Sequence, residues 1–121
     1  MRILNLTQHA ATVAQKEEGV FDPYPRFQEE IVSLLTFEEI PSKEEMEARA
    51  SRLAEIANCH FEARGHDQGV MIGGAGFFMS TLEEQFYYSW LSVHHAFSQR
   101  VSAEKDGVKT SVFEHLGFYK V

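Results

Sequence analysis

Three short polar segments carry most of the residues able to hold an anion: Thr7-Gln8-His9, the glycine run from Gly73 to Gly76, and Ser98-Gln99-Arg100 with Ser102 close behind. Each follows an apolar run of the kind that forms a core strand. Gly73, Gly74 and Gly76 can take positive φ and leave the backbone open to close approach. The helical pattern that begins near Phe77 directs unpaired N–H groups and a partial positive charge toward the same place. Arg100 can clamp a phosphate through two hydrogen bonds, and Ser98 and Ser102 add hydroxyls. His9 ends the first apolar run beside this cradle, which makes its imidazole the candidate acid or base.

Each residue also has a plainer reading. "GGAG" lacks the spacing of a dinucleotide fingerprint and has no Lys-Ser or Lys-Thr pair of a phosphate-binding P-loop, so a strand-to-helix turn accounts for it equally well and no cofactor is expected. Arg100 taken alone is a surface charge; the convergence of three segments is what raises it above that. His94 and His95 are adjacent on an expected strand and face opposite sides, so both cannot ligate one metal from there. A zinc site would need one of them joined by His9, His60, His66 or His115, no His-Glu-x-x-His spacing exists, and no metal is expected. There is no Gly-x-Ser-x-Gly elbow, and the lone Cys59, near the end of an amphipathic helix, reads as a small core hydrophobe. Glu44-Glu45 and Glu83-Glu84 are neighbours on helices and point in different directions, which leaves paired-carboxylate catalysis without support. Phe77, Phe78, Phe86, Tyr87, Tyr88 and Trp90 exceed what one helix face can bury, so Tyr87 or Tyr88 is expected in a homodimer interface.

The elements that must position these groups follow from pattern. "RILNLT" reads as a short buried strand. "ATVAQKEEG" offers Thr12 as N-cap, Gln15 three residues on and Gly19 as a stop. Pro23 and Pro25 make a turn before a helix from about 25 to 35. Pro41-Ser42 with Glu45 form a capping box for a helix over roughly 42 to 59, along which Met46, Ala50, Leu53 and Ala57 share a face. After a polar loop, Val70-Met71-Ile72 suits a central strand covered on both sides. A helix follows over about 77 to 90, then a strand near 93 to 97, a polar segment turning at Asp106-Gly107, and a last β stretch over about 109 to 119. This order predicts a single α/β domain over residues 1 to 121, a small Rossmann-like three-layer sandwich with mainly parallel central strands and a C-terminal antiparallel element. Its ligands belong at the carboxyl edge of the sheet.

Composition bounds the partners. At 121 residues, 44% hydrophobic and 24% charged, the chain fits one soluble domain with a real core. No apolar run approaches the roughly 20 residues of a membrane span, and the N-terminus does not look like a signal peptide, so a cytoplasmic location is expected. One cysteine agrees with a reducing compartment. The net charge of -7 argues against general nucleic-acid binding. The charge concentrates in residues 17 to 62, where twelve acids face four bases. A solvated helical face explains this; the alternative is an acidic dock, centred on Glu44, Glu47 and Glu55, for a basic partner.

The blocks "ILNLTQHAAT", "VMIGGAGFFMSTLE", "AFSQRVSAE" and "KTSVFEHLGF" resemble a family of small uncharacterised proteins carried by bacteria, phages and mobile elements. In layout alone the chain also resembles the CRISPR-associated ring nucleases, dimers that bind cyclic oligoadenylate across the carboxyl edges of Rossmann-like sheets. That likeness implies a pocket lined by Thr7, Gln8, His9, Gly73, Gly74, Ser98 and Arg100, and it assigns no cleaving residue. The expected function is therefore binding of a phosphorylated small molecule or nucleotide at the carboxyl edge, with hydrolysis as an extension, in a homodimer. The alternative is a non-catalytic acidic interaction module in defence or counter-defence.

Overall fold

The computed structural model describes residues 1–61 and 67–121, the side chain of Ala103 excepted. The expected polar loop therefore falls largely outside the described residues, and His66 wholly so. Along the chain lie β1 (Arg2–Leu6), α1 (Val13–Glu17), β2 (Val20–Phe21), α2 (Pro25–Leu35), α3 (Lys43–Asn58), β3 (Gln68–Ile72), α4 (Gly76–Tyr88), β4 (Ser92–Lys105) and β5 (Val108–Lys120). The five strands form one sheet in the order β2-β1-β3-β4-β5. β1 is parallel to both β2 and β3, β3 is parallel to β4, and β5 closes the sheet antiparallel to β4. This is the expected α/β sandwich, with one strand more than the pattern suggested. β2 is only Val20-Phe21, too short to show an alternation, and it sits directly behind the glycine that ends α1.

Local chemistry sets the helix boundaries. Thr12 Oγ1 accepts from the Gln15 amide at 3.2 Å while Gln15 Oε1 accepts from the Thr12 amide at 3.0 Å, a complete capping box for α1. Gly19 ends that turn at φ 105°, and a Cβ there would run into the Met1 carbonyl oxygen. Pro25 opens α2, whose missing amide costs nothing in a first turn. At α3 the box is only half made. Ser42 Oγ accepts from the Glu45 amide at 3.0 Å, but the Glu45 carboxylate pairs with Arg49 at 3.0 Å.

The side-chain alternation of the strands divides the core. Leu4, Leu6, Val70, Ile72 and Val93 turn to one face and pack against Ile31 and Leu35 of α2, Leu53 and Ile56 of α3, and Phe78, Leu82 and Phe86 of α4. Ile3, Val20 and Met71 form a smaller cluster with Ala11 and Phe118 on the other face. From β1 the chain steps one way to β2 and then back across to β3 and β4, so right-handed crossovers place α1 and the later helices on opposite faces. His94 and His95 follow the same alternation. His94 is buried against Phe118 with Nε2 2.9 Å from Ser92 Oγ, whereas His95 points to α4.

Beyond the sheet, β4 does something the sequence reading did not anticipate. Its pairing with β3 runs from Ser92 to His95, yet the strand continues to Lys105, hydrogen-bonded only to β5. A bulge between Phe97 and Ser98 marks the departure. Asp106 and Gly107, at φ 54° and 78°, form the two-residue turn that suits the twist of a hairpin. The stretch read as a polar segment is thus half of a ribbon whose eight residues from Ser98 to Lys105 project roughly 26 Å at about 3.3 Å per residue. Among the described residues no helix is long and apolar enough to cross a membrane.

Candidate functional site

The reversal of strand order falls between β1 and β3, and at such a switch point the loops leaving the two carboxyl ends part and leave a crevice. A recess of about 440 Å³ lies there, within the size range of small-ligand sites. Its walls are Thr7, Gln8 and His9 after β1, Gly73 and Gly74 after β3, Thr12 and Gln15 at the start of α1, and His95 and Ala96 of β4.

The first wall is built by a residue the sequence reading passed over. Asn5 is buried at the end of β1, where its side chain would be costly without partners. It has all of them: Nδ2 donates to the His9 carbonyl at 2.7 Å and to Asp22 Oδ1 at 2.9 Å, and Oδ1 accepts from the Thr7 amide at 3.0 Å and hydroxyl at 2.7 Å. Asp22 Oδ1 also accepts from the Ala11 amide at 2.9 Å. The Thr7–Ala11 turn is therefore fixed from inside, with Gln8 and His9 exposed on its rim. Gln8 Nε2 donates to Thr36 Oγ1 at 2.9 Å, which ties the rim to the end of α2. That end is itself held by Arg49, whose Nη1 donates to the carbonyls of Ser33, Leu34 and Thr36 at 3.3, 3.1 and 2.7 Å.

The second wall is backbone. Gly74 sits at φ 129° with no atom within 4 Å of where a Cβ would be, and Gly73 lies against Thr7, whose Cγ2 would be 3.4 Å from its Cβ. Helix α4 begins immediately afterwards, with Ala75 as N-cap and no side chain capping it. Its first amides are left to water or to a ligand.

The third wall supplies the titratable group. His95 Nε2 is 2.7 Å from Glu83 Oε1 of α4, and both side chains are about one-third exposed. With Nε2–H donating to this carboxylate, the ring is held in one orientation. This is the orienting arrangement of a histidine that moves protons. The sequence reading weighed His95 only as a metal ligand; twelve residues separate it from Glu83, and only the crossover through α4 brings them together. His9, the residue proposed from sequence, is exposed on the rim.

The nine residues expected to bind a ligand divide into groups. Thr7, Gln8, His9, Gly73 and Gly74 line the recess. Gly76 lies in the first turn of α4, outside that lining. Ser98, Arg100 and Ser102 do not form a loop at the sheet edge; they are on the projecting ribbon, where Arg100 lies 5.2 Å above the Phe113 ring. Cys59 differs from expectation too, being exposed at the C-cap of α3. Among the described residues no three His, Cys, Asp or Glu side chains cluster as metal ligands.

The stretch from residue 1 to residue 119, which holds all these walls and nearly the whole ribbon, matches the model of the Uncharacterized protein MJ1673 family. The chain belongs to that family. No match to a curated protein or to a solved structure was found. In this member of the MJ1673 family the recess has no lysine or arginine among its lining residues. It offers hydroxyls, amides and two imidazoles beside the apolar side chains of Met71, Ile72 and Met79.

Proposed function

We propose that the protein binds a phosphorylated small molecule or nucleotide in the recess at the β1/β3 switch point, as a homodimer in a reducing, cytoplasmic setting. The observation that carries this reading is the convergence there of three anion-compatible walls: the Asn5-braced turn, the glycine backbone leading into the uncapped α4, and His95 held by Glu83. Backbone amides and an imidazole can both hold an anion, and the Glu83 carboxylate is engaged with His95. A fixed imidazole beside a bound phosphate can also take a proton from a hydroxyl or a water, so hydrolysis of a phosphodiester is an extension of the same reading. It is the chemistry that the sequence's resemblance to ring nucleases would imply.

The test is a binding screen against mono-, di- and cyclic nucleotides, cyclic oligoadenylates and simple phosphates, followed by product analysis of whichever binds. Loss of binding in His95→Ala supports the site. Intact product-free binding in the wild type would reduce the function to a sensor.

A second reading has its own observation. A cleft of about 580 Å³ between α2 and α3 carries Glu29, Glu38 and Glu39 among its lining residues, and no cation other than Arg49, which is already paired with Glu45. A basic partner would fit there. Charge reversal at Glu29, Glu38 and Glu39 weakens that docking, and at Glu44, Glu47 and Glu55 elsewhere on α3 it removes the wider acidic field, while nucleotide binding stays unchanged.

A further inference from the structure

The recess is lined by hydroxyls, amides and imidazoles with neither lysine nor arginine among them, while the β4–β5 ribbon holds a guanidinium and hydroxyls. Directly opposed residues in an antiparallel pair share a face. The registers Ser98↔His115, Arg100↔Phe113 and Ser102↔Ser111 thus put one guanidinium, three serine hydroxyls and an aromatic ring on a single face of the ribbon. The first acid of the ribbon itself on that face is Glu104, which pairs across the strands with Lys109 at the tip; at the base, Glu18 of the body lies 3.1 Å from His115 Nε2. Both halves of an anion site therefore occur in one chain, at one edge of the sheet. They are separate in one chain, because β4 lines the recess only as far as Ala96 and continues beyond the bulge as the ribbon.

The ribbon also lacks support of its own. From Ala96 to Glu114 the described side chains are exposed on both faces, Val101 alone being half-buried, and Phe113 is 71% exposed. A two-stranded ribbon by itself is marginally stable in water, so a ribbon of this length needs a surface to lie on. From Phe97 to Leu116 it spans about as many residues as one side of a standard interface. Its three bases, Arg100, Lys105 and Lys109, balance three acids, Glu104, Asp106 and Glu114, so the whole charge of -7 resides in the remaining body. Two acidic bodies repel, whereas a neutral ribbon approaches an acidic body without penalty. The surface it would meet includes an apolar depression at the start of α4, where Phe77 is 55% and Ile40 99% exposed.

We propose that the ribbon is a dimerisation arm that lies across the carboxyl edge of a second copy of this chain, seating Phe113 against the apolar rim and placing Arg100 over that copy's recess. Each anion site is then completed in trans, and a two-fold pair completes both. The Arg100 role rests on the reading of the recess as an anion site; the arm itself does not.

Sedimentation of the wild-type chain at about 100 µM gives a dimer. Phe113→Asp, an exposed change that leaves the body's circular dichroism intact, weakens it about 30-fold or more, as loss of a buried aromatic anchor does. In a Cys59→Ser background, Gln8→Cys and Arg100→Cys chains mixed before addition of a short bismaleimide give a covalent dimer, and neither chain alone does. A wild-type monomer overturns the proposal. So does a dimer indifferent to Phe113→Asp, or a Gln8→Cys/Arg100→Cys double variant that cross-links only within one chain. A trans cross-link with no nucleotide bound upholds the arm and removes the proposed function. Nucleotide binding by a monomer does the reverse.

Discussion

At the scale of single residues, the site depends on side chains that brace others. Asn5→Ala removes four hydrogen bonds, while the His9 carbonyl keeps the Thr7 hydroxyl and Asp22 keeps the Ala11 amide. A hydrogen bond contributes about 0.5–1.5 kcal/mol net, so a loss of about 3 kcal/mol is expected in urea unfolding, together with loss of ligand binding. Glu83→Ala removes the acceptor that holds the His95 ring, and a weakening of nucleotide affinity of about tenfold by titration is expected. His60 serves the fold instead. Its Nδ1 donates to the Ile56 carbonyl at 2.8 Å, its Nε2 accepts from the Tyr24 amide at 3.0 Å, and Tyr24 stacks on it at 4.5 Å. Burial pushes its pKa down, as it does for His94. Below about pH 6.5 the unfolded chain takes up these protons before the native one does. Stability is therefore full above that pH, falls as the pH drops toward the native values, and levels off beneath them. Melting at pH 7.5 and 5.5 measures this as a lower Tm in acid; an equal or higher Tm at pH 5.5 would contradict the burial argument.

At the scale of elements, the α2–α3 corner reaches the recess through one arginine. Arg49 holds three carbonyls at the end of α2, pairs with Glu45 and lies 4.3 Å above the Phe37 ring. Arg49→Lys keeps the charge but loses the fork, and a loss of about 1–2 kcal/mol in unfolding free energy is expected. The α2 boundaries were legible because Pro25 and the spacing of Ile31 and Leu35 act locally. α1 was legible for the same reason, through Thr12, Gln15 and Gly19. What escaped was non-local. β2 exists because two residues pair with Ile3 and Leu4, and the extension of β4 exists because residues 108–115 lie opposite it. Neither pairing leaves a mark on the strand's own pattern, since the ribbon has no buried face to impose an alternation. The candidate site divides likewise: the loop residues Thr7 to His9 and Gly73-Gly74 follow their strands in sequence, whereas Asn5–Asp22 and Glu83–His95 join distant segments.

At the scale of the whole molecule, the unsupported surfaces are concentrated at the two ends of the sheet. The ribbon leaves the carboxyl edge. At the amino edge, Trp90 is held at φ 61° and 84% exposed beside the exposed Tyr87 and Tyr88. A bulky residue in the left-handed region costs of order 1 kcal/mol or more. Trp90→Gly relieves that strain and raises the Tm without touching the recess, a result read directly by thermal unfolding with and without ligand. The recess at the β1/β3 switch point remains the place where fold and chemistry coincide. The most direct test of it is a thermal-shift screen of the pure protein against nucleotides, cyclic oligoadenylates and inorganic phosphate, with His95→Ala alongside. A ligand at about 100 times its dissociation constant stabilises the fold by roughly 2.7 kcal/mol, a rise on the order of 10 °C in a domain of this size. Such a rise is expected for at least one phosphorylated ligand in the wild type, and its loss in His95→Ala. A flat screen, or a rise that His95→Ala leaves unchanged, would contradict an anion site in the recess.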